Sequence, residues 1–579
     1  MKKSNLRRIL NTVLLIIAVL VCGSTAQEKQ SVPAKLEPGR RRPAVAQPRT
    51  ETKPQQSGGK GRQTAELPKI DLPEFVITGT ATIDLPKTEK VQPEQHVSDL
   101  LLPLADPMAA ERDRGTVEIA ASGKLGEETS GPVAGYGKIL ASIGTHFTPV
   151  VWLRVGQRRP EYFYLGEAHY ASTMGYAPYA NRSEGALEAK GGMRIYAPSP
   201  WLDHATGTGN ASYGSQTYRF FGSSTPSLTR SISRLALGGD LTSSTESALP
   251  YDVGLGISNA VITDSSADVT ELRFDLSAET SIPVWSTSIV GRIQFTSSSL
   301  TGSSSASLPY LEATIGSARL SWDRFFAQVS AHAFLAKGML DQSVGKIYPN
   351  ATIGCQFPES TVLSLSYAGG VRYNALTDFV RAHPFLSGAS VIRHSDAPVD
   401  VTGALETDWD EVWRTRLSAR FQSIRDYPLY AEAGQRGIWS MAYRGTTSLM
   451  TYRADLFANF NSNSYFALSV VWSLTKNSIT QLEIPYVPEF QATGMYVRPI
   501  LPGLSLSPWW SFVGRRAVDL SGGLRLPSYL IVGLKADYSG LGSLHLFLDV
   551  QNATDKKYEE WGGYRAAPFL VSVGVSYQW

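Results

Sequence analysis

Apolar and polar residues alternate at every second position along most of the chain from about residue 115 to the C-terminus. The apolar row at the end of the chain consists of Phe569, Val571, Val573, Val575, Tyr577 and Trp579. Small or polar residues fill most of the positions between them, and the same period recurs at 271–279, 466–474 and 530–538. A period of two predicts β-strands with one apolar and one polar face.

The alternating runs are longer than the five or six residues that are usual in a soluble sheet, and a tilted strand needs about 9–11 residues to cross a bilayer. In hydrocarbon every backbone polar group must be paired, which a closed barrel achieves. We therefore expect an all-β fold at residues 115–579, a large transmembrane, antiparallel, up-and-down β-barrel. The spacing of the runs predicts about 22 strands, within a range of 18 to 22.

Two kinds of connection separate the predicted strands. Some are short, such as 539–542, whereas 296–307 is nearly all Ser, Thr and Gly, and 374–400 is a second long polar segment. Short turns at one end and long loops at the other are typical of outer-membrane barrels. We expect both long segments to be loops.

The first 26 residues are predicted to be a signal peptide, because basic residues precede a short apolar core at 9–21 and small residues end at Ala26. A lipoprotein signal using Cys22 is the alternative, which the valine before it disfavours. After cleavage at Ala26 only Cys355 remains, so no internal disulfide can form.

Residues 27–71 contain no aromatic residue, and basic residues outnumber acidic ones. Such a segment buries too little apolar surface to fold, so we expect a disordered arm. The Arg40–Arg42 run could contact anionic lipid or peptidoglycan, although a solvated tether is the favoured interpretation.

The overall composition and the spacing of the His residues argue against several classes of function. Charged residues make up 18% of the chain and the net charge is only +3, which indicates no nucleic-acid partner. The eight His residues are scattered without a metal-binding spacing, and no nucleophile–base pair is recognisable. We expect no enzymatic activity, no metal and no cofactor.

One predicted strand carries several arginines on a single face. Arg414, Arg416 and Arg420 alternate with an apolar row and would line the lumen, where a basic wall favours anionic solutes. The alternative is that these arginines pair with carboxylates on neighbouring strands, as Arg453 and Asp455 suggest.

The last 95 or so residues resemble the C-terminal barrel strands of TonB-dependent outer-membrane receptors. The segments that carry the resemblance are 484–488, 513–516, 526–529 and 546–558. One departure is that Ala553 and Thr554 replace the Leu-Phe usual in that family. The final residues Val575, Tyr577 and Trp579 are similar to the terminal signal that the barrel assembly machinery reads.

The resemblance implies a "TonB box", a short extended segment that pairs with TonB by adding a strand to its sheet. The matching stretch is Glu74, Phe75, Val76, Ile77, Thr78, Gly79 and Thr80. An ordinary β-rich loop at the barrel mouth is the alternative. The family also implies a location in the outer membrane of a Gram-negative-type bacterium, with lipid around the barrel and the N-terminal arm in the periplasm.

The chain departs from the family in the segment that should form a plug. Only residues 81–114 lie between the box-like stretch and the first predicted strand, too few for a folded plug domain. A barrel of this size is normally plugged. Its lumen could be open, or filled by loops, by residues 27–114 or by another chain. Three functions follow as alternatives: TonB-receptor-like transport of an unidentified solute, a passive porin-like channel, and an outer-membrane anchor or assembly protein.

Overall fold

The computed structural model describes residues 134–579, apart from gaps at 200, 245–246, 248, 265–266, 286, 304, 341, 358–359, 411 and 462–463. The predicted signal peptide, the arm, the TonB-box-like stretch and residues 81–114 lie outside the described residues, and so does the segment 115–133 of the predicted barrel. The predictions made for these segments stay predictions.

Twenty-two strands pair in antiparallel fashion into one closed barrel. They are β1 (Ala134–Gly144), β2 (Val150–Arg158), β3 (Tyr162–Thr173), β4 (Arg182–Arg194), β5 (Thr206–Arg219), β6 (Thr229–Thr242), β7 (Tyr251–Asp264), β8 (Asp268–Val284), β9 (Thr287–Gly302), β10 (Ala306–Ser317), β12 (Phe325–Lys337), β13 (Ser343–Phe357), β14 (Thr361–Ala368), β16 (Ser395–Asp408), β17 (Trp413–Arg425), β20 (Thr446–Asn461), β21 (Ser464–Asn477), β22 (Phe490–Leu501), β23 (Leu504–Val513), β26 (Tyr529–Leu541), β27 (Leu544–Gln551) and β30 (Leu570–Gln578).

The remaining elements are short. Two of them, β11 (Leu320–Trp322) and β15 (Gly370–Arg372), extend the barrel sheet. Six form hairpins within loops, namely β18 (Pro428–Glu432), β19 (Trp439–Tyr443), β24 (Arg516–Ala517), β25 (Arg525–Leu526), β28 (Glu559–Trp561) and β29 (Tyr564–Arg565). The helix α1 spans Leu376–Ala382. Among the described residues, no helix is long and apolar enough to cross a membrane.

The first and last strands close the barrel. β1 pairs with β2 on one side and with β30 on the other, where Ala141 lies opposite Val575. The sheet therefore has no free edge in which backbone N–H and C=O groups would face lipid unpaired. The predicted fold class is confirmed, at the upper end of the predicted range of strand numbers.

The two faces of each strand differ as the alternation predicts. In β30, Val573 and Tyr577 are 52% and 46% exposed on the outer face, whereas Ser572 and Ser576 are buried on the inner face. Large apolar side chains are likewise exposed outside on other strands, including Leu276 and Ile293. An apolar exterior and a polar interior are what a barrel in a bilayer requires.

The two ends of the barrel differ in the length of their connections. The five long connections, at 373–394, 426–445, 478–489, 514–528 and 552–569, all lie at one end. The opposite end carries mostly short turns, including those at 502–503 and 542–543. One loop prediction was wrong, because most of the segment 296–307 belongs to β9 and β10. Its hydroxyl groups find partners inside the lumen: Thr296 donates to Asp275 at 2.9 Å.

The sorting of faces can be tested on two consecutive residues of β8. Leu276 points to lipid near the middle of this 17-residue strand, whereas Ser277 points inward, where its Oγ and Asp240 Oδ1 both lie beside Gly254. Leu276→Arg should destabilise the folded barrel by about 2–4 kcal/mol, the usual penalty of an arginine on the lipid face near the bilayer midplane. Ser277→Arg should change stability much less. Urea titrations in lipid vesicles measure both, and equal penalties would contradict the assignment of faces.

Candidate functional site

The five long connections fold together over one mouth of the barrel, and we refer to residues 373–394, 426–445, 478–489, 514–528 and 552–569 as the cap. Their buried apolar side chains form one cluster with residues at the ends of β7 to β10, strands that carry none of these loops. The cap members include Leu376, Phe379, Leu386, Ile392, Tyr430, Trp439, Ile484, Tyr486, Leu526, Trp561 and Tyr564, and the members from β7 to β10 are Ile262, Val269, Leu300 and Leu308. The cap is thus a packed layer rather than a set of separate loops.

Helix α1 attaches the first cap segment to the barrel wall. Leu376, Phe379 and Val380 are buried on one side of the helix, as its sequence spacing allows. At its start, the backbone N–H and the hydroxyl of Thr377 both donate to Glu271 Oε2 of β8, each at 2.8 Å. The carboxylate therefore satisfies a backbone donor that has no partner within the helix.

His383, just after α1, lies at the centre of a cluster of aromatic rings. It stacks on Trp561 with ring centroids 3.5 Å apart, and Tyr430 and Trp439 lie at 4.7 and 4.8 Å. The side chain is fully buried. Burial, together with the positive charge of Arg230, lowers the pKa of His383 well below its usual value. The imidazole is consequently neutral at neutral pH.

A buried arginine connects this part of the cap to the wall. Arg230 is the second residue of β6 and is 1% exposed, and its Nε donates to Asp264 Oδ2 at the end of β7 at 3.1 Å. Its Nη1 donates to two cap carbonyls, those of Pro384 at 2.9 Å and of Leu386. One guanidinium group therefore serves both the wall carboxylate and the cap backbone, which the planar fork of arginine makes possible.

The segments that resemble the receptor family lie in and next to the cap. Arg516 is fully buried, and its Nη2 donates to the carbonyls of Glu559 and Glu560. The side chain of Asn552 accepts from the backbone N–H of Lys556 at 2.8 Å and donates to its carbonyl at 2.9 Å. These residues fix the backbone of the 514–528 and 552–569 connections.

The three arginines singled out in the sequence lie on β17, on the face opposite to the exposed side chains of Trp413 and Phe421. Each forms an ion pair with a carboxylate of β16: Arg414 with Asp408, Arg416 with Glu406 and Arg420 with Asp400. Arg372 also pairs with Asp400, at 3.0 Å. A role of these arginines in selecting solutes stays a prediction.

The C-terminal residues Tyr577 and Trp579 lie at the end with short turns, exposed and with stacked rings 5.9 Å apart. Val575 belongs to the same strand. Their recognition by the assembly machinery stays a prediction, and the box-like stretch 74–80 lies outside the described residues.

The residues that build the cap were not predicted as a site. Arg230, Asp264 and His383 give no local signal, because their partners are far away in the chain. One signal was available in the sequence. Trp439, Trp561 and other large aromatic residues lie within long connections, and large aromatic residues are not expected in loops that are fully solvated.

No family model and no curated protein matches this chain. Solved structures do match its fold. The FrpB iron transporter from Neisseria meningitidis (F3-3 variant) is 11% identical with a TM-score of 0.61, over 77% of this chain and 82% of that chain. Copper transporter OprC is 12% identical with a TM-score of 0.58, over 78% and 81%. The siderophore receptor PiuA from Acinetobacter baumannii is 9% identical with a TM-score of 0.59, over 77% and 82%.

These structures are TonB-dependent receptors, so the described part of the chain has the barrel fold of that class. At identities of 9–12%, the likeness concerns the fold. The family resemblance noted in the C-terminal strands is confirmed at this level.

The neutral state of His383 predicts that acid loosens the cap. When the cap is open, His383 binds a proton with an ordinary pKa of about 6.5, whereas in the closed cap the pKa is much lower. The closed cap is therefore fully stable above about pH 6.5 and loses stability as the pH falls below it. Burial acts in the same direction on His394, whose pKa it lowers to about 4.

Hydrogen exchange of peptides from residues 373–394 at pH 7.5 and pH 5 measures this effect. Protection should fall at pH 5 in the wild-type protein after correction for intrinsic exchange rates. His383→Phe keeps an aromatic ring in the cluster and removes the titration, so most of the difference should disappear. A wild-type cap that is equally protected at both pH values would contradict the prediction.

Proposed function

We propose that this protein is an outer-membrane transport protein of the TonB-receptor type, which moves a solute still to be identified across the outer membrane. The fold supports this proposal, since three proteins that share it are an iron transporter, a copper transporter and a siderophore receptor. Transport rather than catalysis is the role proposed for the barrel as a whole. In barrels of this kind the short turns face the periplasm and the long loops face the outside, so the cap would cover the external mouth.

The observation that carries the proposal is the attachment of the cap to the barrel wall. A passive channel needs a permanently open mouth. In this barrel, buried side chains from five loops pack together over one of the two mouths. Arg230 and Glu271 tie this layer to β6, β7 and β8. Passage of a solute then requires the cap to rearrange, which favours gated transport over the porin-like alternative.

We further propose that energy for this rearrangement comes from TonB. The stretch Glu74 to Thr80 would add a strand to a sheet edge of TonB, and the arm at 27–71 would let it reach across the periplasm. The shared fold supports this coupling, since the matching structures are TonB-dependent receptors.

Single-channel recording in planar bilayers tests the gate in the full-length protein. The wild type should conduct rarely. Arg230→Met removes the positive charge that pairs with the buried Asp264 and the donor to the carbonyls of Pro384 and Leu386, and such a loss typically costs about 3–5 kcal/mol. Openings should therefore become much more frequent.

Arg414→Met is the matched control, because it removes an arginine from a half-exposed pair with Asp408 that lies outside the cap. It should open as rarely as the wild type. Steady conductance of the wild type would contradict gated transport, and equal behaviour of the two variants would contradict the cap as the gate.

Binding of a peptide spanning residues 72–82 to the C-terminal domain of TonB tests the coupling, for example by calorimetry. The peptide should bind, and Val76→Pro should abolish binding because proline cannot donate a backbone hydrogen bond to the partner strand. Absence of binding by the unchanged peptide would remove TonB coupling from the proposal.

A further inference from the structure

Three polar side chains on the inner face of the barrel form a continuous hydrogen-bonded chain. Ser330 and His332 lie on β12, and Ser330 Oγ is 2.9 Å from His332 Nε2. His332 Nδ1 is in turn 2.8 Å from Glu312 Oε1 of β10. Val329 and Leu335 of β12 are exposed outward, so the three polar residues face the lumen. Serine, histidine and a carboxylate in this order form the triad of serine hydrolases.

The imidazole ring is held in place from several sides. Phe334 lies nearly parallel to it, with an interplanar angle of 16°, and Thr314 Oγ1 is 3.0 Å from Nδ1. Tyr310 donates to the second carboxylate oxygen of Glu312 at 2.9 Å. Since the carboxylate accepts from Nδ1–H, the Nε2 lone pair faces the hydroxyl of Ser330. This tautomer is the one that lets histidine act as a base towards serine.

The neighbouring strands pack closely against Ser330 and place an amide group beside it. Gly316 stands directly opposite in β10, and a Cβ atom there would lie only 2.6 Å from Ser330 Cβ. On the other side Asn350 of β13 is the cross-strand partner of Ser330, and its Oδ1 is buried without a hydrogen-bond partner. The amide group can also be oriented with Nδ2 in that place. An Asn N–H beside a nucleophile is a known means of stabilising an oxyanion.

We propose that Ser330, His332 and Glu312 form a hydrolytic site for carboxylic esters in the barrel lumen, an activity separate from transport. Ser330 Oγ bonds to the ester carbonyl carbon while His332 Nε2 takes the hydroxyl proton. The ester C–O bond then breaks, and His332 passes the proton to the departing alcohol. Water, activated by His332, cleaves the acyl-serine to the carboxylic acid and restores Ser330. Glu312 is a positioning residue that holds the imidazole, and Asn350 donates to the oxyanion.

A fluorophosphonate probe tests this site in the full-length protein in detergent micelles, with mass spectrometry of the labelled peptides. The probe should modify Ser330, and p-nitrophenyl acetate should be hydrolysed. Ser330→Ala should abolish both. His332→Gln should slow labelling by about 100-fold or more, which is the usual contribution of a general base. Ser366→Ala is the matched control, since Ser366 is bonded to Thr352 instead of a histidine and should leave both readouts unchanged.

A variant is folded if it resists unfolding by detergent when the sample is not heated. A purely structural role of the three residues predicts no labelling of Ser330 in the folded wild-type protein, and that result would overturn the proposal. Labelling at the same rate in the wild type and in His332→Gln would overturn it as well. Neither result affects the conductance experiments on the cap, so the two proposals fail independently.

Discussion

The structure depends on one constraint, that no backbone polar group can face hydrocarbon without a partner. A sheet satisfies it only if its first and last strands pair, as β1 and β30 do along most of their length. Closure then fixes the two faces of every strand, because side chains alternate between lipid and lumen. The apolar row of β30 and its buried Ser572 and Ser576 follow from this geometry.

Closure of the sheet creates a second problem at the mouth of the barrel, where loops must bury polar backbone groups in order to cover it. Here wall side chains supply the partners. Arg230 donates to the carbonyls of Pro384 and Leu386, and Glu271 accepts from the start of α1. The aromatic cluster around His383 then packs in the space between these wall side chains and the loops. The structure of the cap therefore depends on side chains of β6 to β8 as much as on the loops themselves.

The strands could be predicted from sequence because the environment of each outward side chain is lipid, whichever strand lies beside it. Val573 and Tyr577 carry that information locally. The segment 296–307 was misassigned because Ser and Thr are favoured both in loops and on a wet inner face. The suggested pairing of lumen arginines with carboxylates on neighbouring strands describes Arg420 of β17 and Asp400 of β16, whereas Arg453 pairs with Asp455 of its own strand. The cap and the Ser330–His332–Glu312 chain depend on which strands are neighbours, and periodicity does not contain that information.

The most direct test of the account is a disulfide across the seam that closes the barrel. Ala141 and Val575 are cross-strand partners on the outer face of β1 and β30, close enough for cysteines in their places to be linked. In a Cys355→Ser background, Ala141→Cys with Val575→Cys should form the bond on mild oxidation in membranes, seen by mass spectrometry. Ala141→Cys with Ser576→Cys should not, because Ser576 points into the lumen. Failure of the first pair, or equal bonding of both, would contradict a closed barrel in this register.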